Sequence, residues 1–340
     1  MHVHFGGPDK PVAALAQLLL ACIENVPPGG EIHWITYYFG NPQLAQSLLA
    51  ASRRGVKVAV SIDARPRRPE VNRRVVELLS ELDGAPNWGL RTLRHILPCH
   101  VHEKLYYFSH PRAVYVGSYN PSGYEDNPPG LMADIGDQDR GHNFLVEIRD
   151  DRTVTFLRSH MQAMHQLPHD PLERFRREMN AEHCSPELAI WFFPRRKIGT
   201  PLEALDDRTL KNVRLAVSHF RDSTMARKLA KLAAGGTQIE VLCHDSRRRV
   251  PPRTEQLLSN SAVRFWRYRH LAALPMHNKF MLLETAREAS VIFGSFNLTR
   301  TSRWLNHEVL MRSSNPGLVA AFSRRWHEML TEVATQCSGA

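Results

Sequence analysis

The stretch MHNKFMLLE, Met276 to Glu284, is followed ten residues on by GSFN, Gly294 to Asn297. An earlier pair reads VHEKLYYFS, Val101 to Ser109, and then GSYN, Gly117 to Asn120. Residues i and i+2 of a strand share a face, so His277 and Lys279 point one way, and His102 and Lys104 likewise. The residues that follow, Phe280 to Leu283 and Leu105 to Phe108, are apolar without alternation, as in a strand covered on both faces. Two polar groups at the head of a buried strand, present twice, govern the reading of everything around them.

Working outward, the two blocks sit in a longer repeat. EIHWITYYFGNPQLAQSLLAASRRGVKVAVSIDARPRR in the first half matches NVRLAVSHFRDSTMARKLAKLAAGGTQIEVLCHDSRRR in the second. Each has an apolar strand (Ile32 to Phe39; Val213 to Phe220), a helix rich in Leu and Ala, and a break at glycine (Gly55; Gly235 and Gly236). A second strand (Val56 to Ile62; Ile239 to Cys243) then ends in Asp63 or Asp245 ahead of an arginine cluster. A helix (Val71 to Leu82; Thr254 to Leu258) and a strand (Leu90 to His95; Val263 to His270) lead into HxK and GSxN. Strand–helix–strand alternation predicts an α/β fold. The repeat predicts two similar lobes related by a pseudo-two-fold, each a mixed, largely parallel sheet flanked by helices. The expected boundaries are residues 1–169, a connection at 170–206 rich in Pro, Arg and Glu, and residues 207–340.

The chain has 340 residues, 43% of them hydrophobic, with 44 Lys and Arg against 34 Asp and Glu and a pI near 9.6. Such a surface attracts polyanions: nucleic acid, an anionic membrane or a phosphorylated substrate. Five scattered cysteines without CxxC predict reduced thiols in a cytoplasmic protein. The apolar stretch near the start is too short and interrupted to span a bilayer, so an amphipathic helix over Val12 to Ile23 is expected and no transmembrane segment.

Across a two-fold, the blocks would bring two His, two Lys and two Asn to one pocket without a second copy of the chain. Lysine ammonium and asparagine amide donate well to the non-bridging oxygens of a phosphate. Two imidazoles can divide the work of nucleophile and general acid. No His/Cys/Asp cluster has metal-ligand spacing, so charge neutralisation falls to the lysines, and neither metal nor cofactor is expected. Glycine ahead of Ser118 and Asn120, and ahead of Ser295 and Asn297, is expected to let a ligand approach the backbone closely.

The pattern resembles the phospholipase D superfamily, whose signature is HxK(x)4D followed by GSxN. The resemblance runs from Glu31 to the helix at Pro316 to Val333. It implies one active site between two α/β lobes and a metal-free mechanism. One histidine takes phosphorus as a covalent phosphohistidine; the other protonates the leaving group and then activates water or an alcohol. The family Asp is Ser109 in the first block and Glu284 in the second, and Glu284 is expected, with Ser118, Ser295 and Asn143, to support the site. Asn306 and Glu308 fit the family's N-x-E, whereas GHNFLVEI puts Asn143 at the equivalent place in the first block. The resemblance implies that Glu308 partners a histidine Nδ1. Pairing each histidine with its own block puts Glu308 behind His277 and Asn143 behind His102. A nucleophile must be neutral and a general acid must hold a proton, so His102 is expected as nucleophile and His277 as acid. The tyrosyl-DNA phosphodiesterase branch is similar in lacking the Asp and pairing its nucleophile with an amide.

Other features read two ways. His100 either faces the cleft or is a strand histidine; Tyr38 and His219 either line the pocket or merely end strands. Arg65, Arg67 and Arg68, matched by Arg247, Arg248 and Arg249, either grip flanking phosphates or are solvated loop residues. Trp304 either stacks on substrate or packs in the core. Pro121 to Arg140 either caps the cleft or is a loop. A nucleic-acid phosphodiesterase is the expected function, with a phospholipid hydrolase or transferase as the alternative. A degenerate nucleic-acid-binding module is the third reading, resting on the missing first-block Asp and Glu.

Overall fold

The computed structural model describes residues 1–94, 99–122, 129–167, 180–195 and 201–338. In the first half, β1 (His2–Gly6) and α1 (Ala14–Asn25) precede β2 (Glu31–Thr36), α2 (Pro42–Arg53), β3 (Lys57–Asp63), α3 (Glu70–Leu79) and β4 (Trp88–Leu93). Then come β5 (Leu105–Ser109), β6 (Arg112–Gly117), α4 (Pro129–Ile135), β7 (Asn143–Ile148) and α5 (Asp151–His165). The second half contains β8 (Glu182–Cys184), β9 (Leu188–Phe193), β10 (Leu210–Val217), α6 (Ser223–Ala234), β11 (Gln238–His244), α7 (Pro252–Ser259) and β12 (Arg264–Tyr268). It closes with β13 (Lys279–Thr285), β14 (Ala289–Gly294), α8 (Arg300–Trp304), β15 (Glu308–Ser313) and α9 (Pro316–Ser338).

The sheets run β1-β7-β6-β5-β2-β3-β4 and β12-β11-β10-β13-β14-β15-β9-β8. Read from opposite ends they share one order: β7-β6-β5-β2-β3-β4 matches β15-β14-β13-β10-β11-β12. This is the α/β repeat the sequence predicts. Among the described strands, those of β2–β3–β4 and β10–β11–β12 pair in parallel and the others pair antiparallel. The cause is local. Short turns after Ser109 and Thr285 join β5 to β6 and β13 to β14, and tight hairpins connect antiparallel strands. The first helix of each copy starts where a side chain satisfies free N–H groups. Asn41 Oδ1 accepts from Leu44 N ahead of α2, and Asp222 accepts from Thr224 N and Met225 N ahead of α6.

The expected connection at 170–206 holds more than a link. Residues 170–179 and 196–200 lie outside the described residues, but β8 and β9 fall within it and extend the second sheet through β15. Apolar alternation in LAIWFF, Leu188 to Phe193, carries that strand, with Leu188, Ile190 and Phe192 buried. The halves share one core. Phe322 of α9 touches Phe144 of the first sheet and Phe280 and Phe293 of the second. This shared packing fixes the lobes against each other at the site.

Candidate active site

Each HxK segment lies at the entrance to its strand, where the chain pairs with the opposite lobe. Val101 bridges His307, and Met276 bridges His142. His102 N donates to His307 O, and His277 N donates to His142 O, both at 2.9 Å. Each histidine therefore meets the residue that follows its partner across the lobe boundary. His102 Nδ1 lies 2.8 Å from Glu308 Oε2, and His277 Nδ1 lies 2.9 Å from Asn143 Oδ1. This overturns the expected pairing, in which Glu308 stood behind His277 and Asn143 behind His102. The two-fold exchanges the blocks.

The supporting shell obeys the same symmetry. Ser295 Oγ donates to Glu308 Oε2 at 2.5 Å and accepts from Val309 N. Ser118 Oγ donates to Asn143 Oδ1 at 3.2 Å and accepts from Phe144 N. Asn306 Nδ2 reaches Glu308 Oε1, and Asn143 Nδ2 donates to Gln138 O. The glycines have a different use from the expected one. A Cβ on Gly117 would lie 2.1 Å from Phe144 O, and one on Gly294 would lie 2.2 Å from Val309 O. It is the neighbouring strand, not a ligand, that needs the space, and it carries the residue after Asn143 or Glu308.

Lys104 and Lys279 are buried behind the histidines. Lys104 Nζ donates to His102 O at 2.6 Å; Lys279 Nζ donates to His277 O at 2.8 Å and lies 3.0 Å from His277 Nε2. Burial brings Lys104 down to about 7 against the pull of Glu308, Asp63 and Glu103. Burial, then repulsion from Lys104, takes Lys279 well below its usual range. His102 falls to about 4 because burial outweighs Glu308, and burial, then Lys279, takes His277 well below its usual range. Burial works to raise the Glu308 carboxyl, but His102, Lys104 and Ser295 hold it below the ordinary value. The lysines and histidines disfavour one another's protonated forms, a repulsion that a bound anion would relieve.

The histidines open onto a cleft of about 520 Å³. Asn120 and Asn297 line it, and Asn297 Oδ1 is buried with no hydrogen-bond partner among the described residues. Tyr38, His100 and His219 line it too, as the first of their two readings has it. Tyr37 holds the nucleus: its ring lies 5.1 Å from His102 and 5.5 Å from Lys104 Nζ. Arg67 and Arg248 are in the lining, and so are Arg221, Arg249 and Arg300. Arg65, Arg68 and Arg247 are not among the lining residues. Of Pro121 to Arg140, residues 123–128 lie outside the described residues; Asp134, Ile135 and Gln138 line the cleft.

Two further expectations are corrected. Glu284 sits five residues along β13 from Lys279, about 17 Å away at strand rise, and pairs with Asn212 and Arg214 instead. Ser109, in the same position of the first block, accepts from Glu31 N. Trp304 is half exposed, outside the core and the cleft lining, with the Arg303 guanidinium over its ring. Sequence spacing also did not reveal that Asp9, His142 and Glu332 converge. The Arg325 guanidinium takes the cation's place there, donating to both Asp9 oxygens and to His142 Nδ1.

The family model for the cardiolipin synthase, PLD-like domain matches residues 27–124 and 203–330, which include both HxK and both GSxN segments. The chain belongs to this family. Its place in the phospholipase D superfamily agrees with solved structures of the same fold. Phosphatidylserine synthase of Haemophilus influenzae Rd KW20 aligns at TM-score 0.66 and 13% identity, over 97% of this chain and 86% of that one. Polyphosphate kinase of Porphyromonas gingivalis aligns at 0.63 and 13%, over 97% of this chain but 50% of that one, so this PLD-like chain spans half its length. Yeast tyrosyl-DNA phosphodiesterase aligns at 0.52 and 10%, over 92% and 89%. Comparison with curated proteins gave no match. Among the described residues no helix is long and apolar enough to cross a membrane.

Proposed function

We propose that this chain is a metal-independent phosphodiesterase that acts through a phosphohistidine on His102, with nucleic acid as its substrate. The observation that supports it is the crossed quartet, His102–Glu308 and His277–Asn143, facing one cationic cleft. Glu308 accepts the Nδ1 proton of His102, which leaves the Nε2 lone pair for phosphorus. Attack puts positive charge on the imidazole, and the carboxylate offsets it. His277 Nε2 is instead bonded by Lys279, so this pair holds the proton destined for the leaving oxygen. This ground for the division of roles replaces the one drawn from sequence, which rested on the uncrossed pairing.

In the first step the His102 Nε2–P bond forms, the P–O bond to the leaving group breaks, and His277 protonates that oxygen. In the second, His277 takes a proton from water, the water oxygen bonds phosphorus, and His102 is released. Lys104, Lys279, Asn120 and Asn297 supply donors for the non-bridging oxygens.

Arg67, Arg221, Arg248, Arg249 and Arg300, with the Tyr37 and Tyr38 rings, suit a charged backbone bearing bases. A phospholipid substrate is the second reading, favoured by the description of the matching family and by the phosphatidylserine synthase fold. The test is cleavage of labelled DNA, RNA and phosphatidylglycerol liposomes side by side in EDTA, with wild type and His102→Ala. Nucleotide products from wild type alone support the first reading; lipid products alone overturn it in favour of the second. Loss of activity in EDTA, restored by added metal, overturns metal independence.

A further inference from the structure

We propose that Arg67, Arg68 and Arg248 form a second phosphate site at the mouth of the cleft, and that Asp134 occupies it in the free protein as an internal stand-in for a substrate phosphate. The inference rests on the phosphodiesterase reading and adds to it the kind of substrate: a phosphodiester that carries a second phosphate.

The site is built from both halves of the repeat. Arg67 and Arg68 follow β3, and Arg248 follows β11, the equivalent strand of the other lobe. All three converge on one carboxylate. Arg67 lies 2.6 Å and Arg248 3.2 Å from Asp134 Oδ1, and Arg68 Nε donates to Oδ2. Arg248 and Arg249 also donate to the Asp134 carbonyl, and Arg249 to that of Ile135. The Asp134 side chain is 16% exposed, and each of the three guanidinium side chains is above 40%. The carboxylate is therefore the covered centre of a ring whose donors remain open to solvent.

Charge and chain length point the same way. One carboxylate faces three guanidinium groups, so the cluster stays strongly cationic with Asp134 in place. A terminal phosphate brings nearly two charges and three acceptor oxygens, and it matches guanidinium forks better than one carboxylate. Asp134 comes from a segment longer than its counterpart in the second lobe: Asn120 to Asn143 spans 23 residues, against 11 from Asn297 to Glu308. The longer chain brings an acid to a place where arginines of the two lobes meet. Arg67, Arg248 and Asp134 border the same cleft as the histidines, so a phosphate on the arginines would share that cleft with one on His102.

The test uses the full chain and binding by calorimetry. Inorganic pyrophosphate and inorganic phosphate probe the cluster; a dinucleotide and a glycerophosphodiester, each with and without a terminal phosphate, probe the source of that group. Asp134→Asn is expected to tighten pyrophosphate about fivefold, and Arg248→Gln to weaken it by at least as much. Glu288→Gln removes the same charge at a distant hairpin, where Glu288 pairs with Arg312, and is expected to change it less than twofold. The terminal phosphate should tighten one diester about tenfold in wild type and add nothing in Arg248→Gln. Equal tightening by Asp134→Asn and Glu288→Gln overturns the proposal, as does unchanged or weaker pyrophosphate binding in Asp134→Asn. Thermal melting confirms that each variant is folded; should Asp134→Asn not fold, Arg68→Gln and Arg248→Gln decide by the same readout. Arginine-dependent gain on the glycerophosphodiester alone keeps the site and overturns nucleic acid as the substrate.

Discussion

His102 Nδ1 and Glu308 Oε2, 206 residues apart in the chain, meet at 2.8 Å across the lobe boundary, with both side chains buried. Glu308 is in turn held by Ser295 and Asn306. Glu308→Gln keeps the shape and removes the charge that offsets the imidazolium. A drop in kcat of about 10²- to 10⁴-fold is expected, as for other histidines that lose an orienting carboxylate. KM should change less than tenfold, because the carboxylate does not bind substrate directly. A kcat within threefold of wild type would remove Glu308 from the mechanism.

Trapping decides the division of labour between the histidines. In His277→Asn the second step lacks its base, so a substrate with a good leaving group should leave an acid-labile phosphoryl group on His102. Mass spectrometry of acid-free digests reads its position. Label on His277 in the converse variant, His102→Asn, with none on His102 in the first, would reverse the assigned roles.

The repeat was legible because strand and helix periodicities and the arginine clusters follow one another in matched order. His102, Lys104, Asn120, His277, Lys279 and Asn297 could be named because motif spacing is local. The partners of the histidines could not. Asn143 and Glu308 are in the right strands, but which histidine each meets depends on a two-fold that pairs Val101 with His307 and Met276 with His142. No spacing within one block encodes that. Asp134 was hidden for the same reason: it lies in a segment longer than its counterpart in the second lobe, and its partners come from both. Glu284 misled because it fits the family spacing while strand rise carries it away from the cleft.

Gly294 has φ +150, and its Cβ position lies 2.2 Å from Val309 O. Gly294→Ala should therefore combine backbone strain with a clash against β15, whose first residue is Glu308. A loss of about 1–3 kcal/mol is expected in denaturant unfolding, with kcat falling more than in equally destabilised surface variants. Gly117→Ala should behave alike through Phe144 O. Unchanged stability in both would mean that the strands slide freely past these positions.

Lys104 sits near 7 and His102 near 4 in the free protein. Lysine must be charged to hold phosphate, and the nucleophile must be neutral to attack. So kcat/KM, which reports the free enzyme, should rise as pH climbs through about 4 and fall above about 7. The descending limb should approach tenfold per pH unit. A profile that stays level from pH 7 to 9 would show that Lys104 keeps its proton or does not serve binding.

Acid stability follows from the histidines that burial keeps neutral. His33 and His102 are lowered to about 4, and His219 and His277 lie well below the ordinary 6.5. Between 6.5 and 4 the unfolded chain binds protons that the folded chain refuses, so stability rises with pH across that window. It should be complete above about 6.5 and decline as the pH falls toward 4, before most carboxylates titrate. Each such histidine contributes a slope of up to about 1.4 kcal/mol per pH unit. His33 is a probe apart from the site: it lies on β2, away from the cleft lining, its Nδ1 has no hydrogen-bond partner among the described residues, and burial outweighs Glu31, 3.9 Å from its Nε2. In His33→Gln, urea midpoints between pH 7 and 4.5 should converge on those of wild type, or pass them, as the pH falls. Parallel midpoint curves for the two proteins would show that His33 gains its proton freely in the folded state.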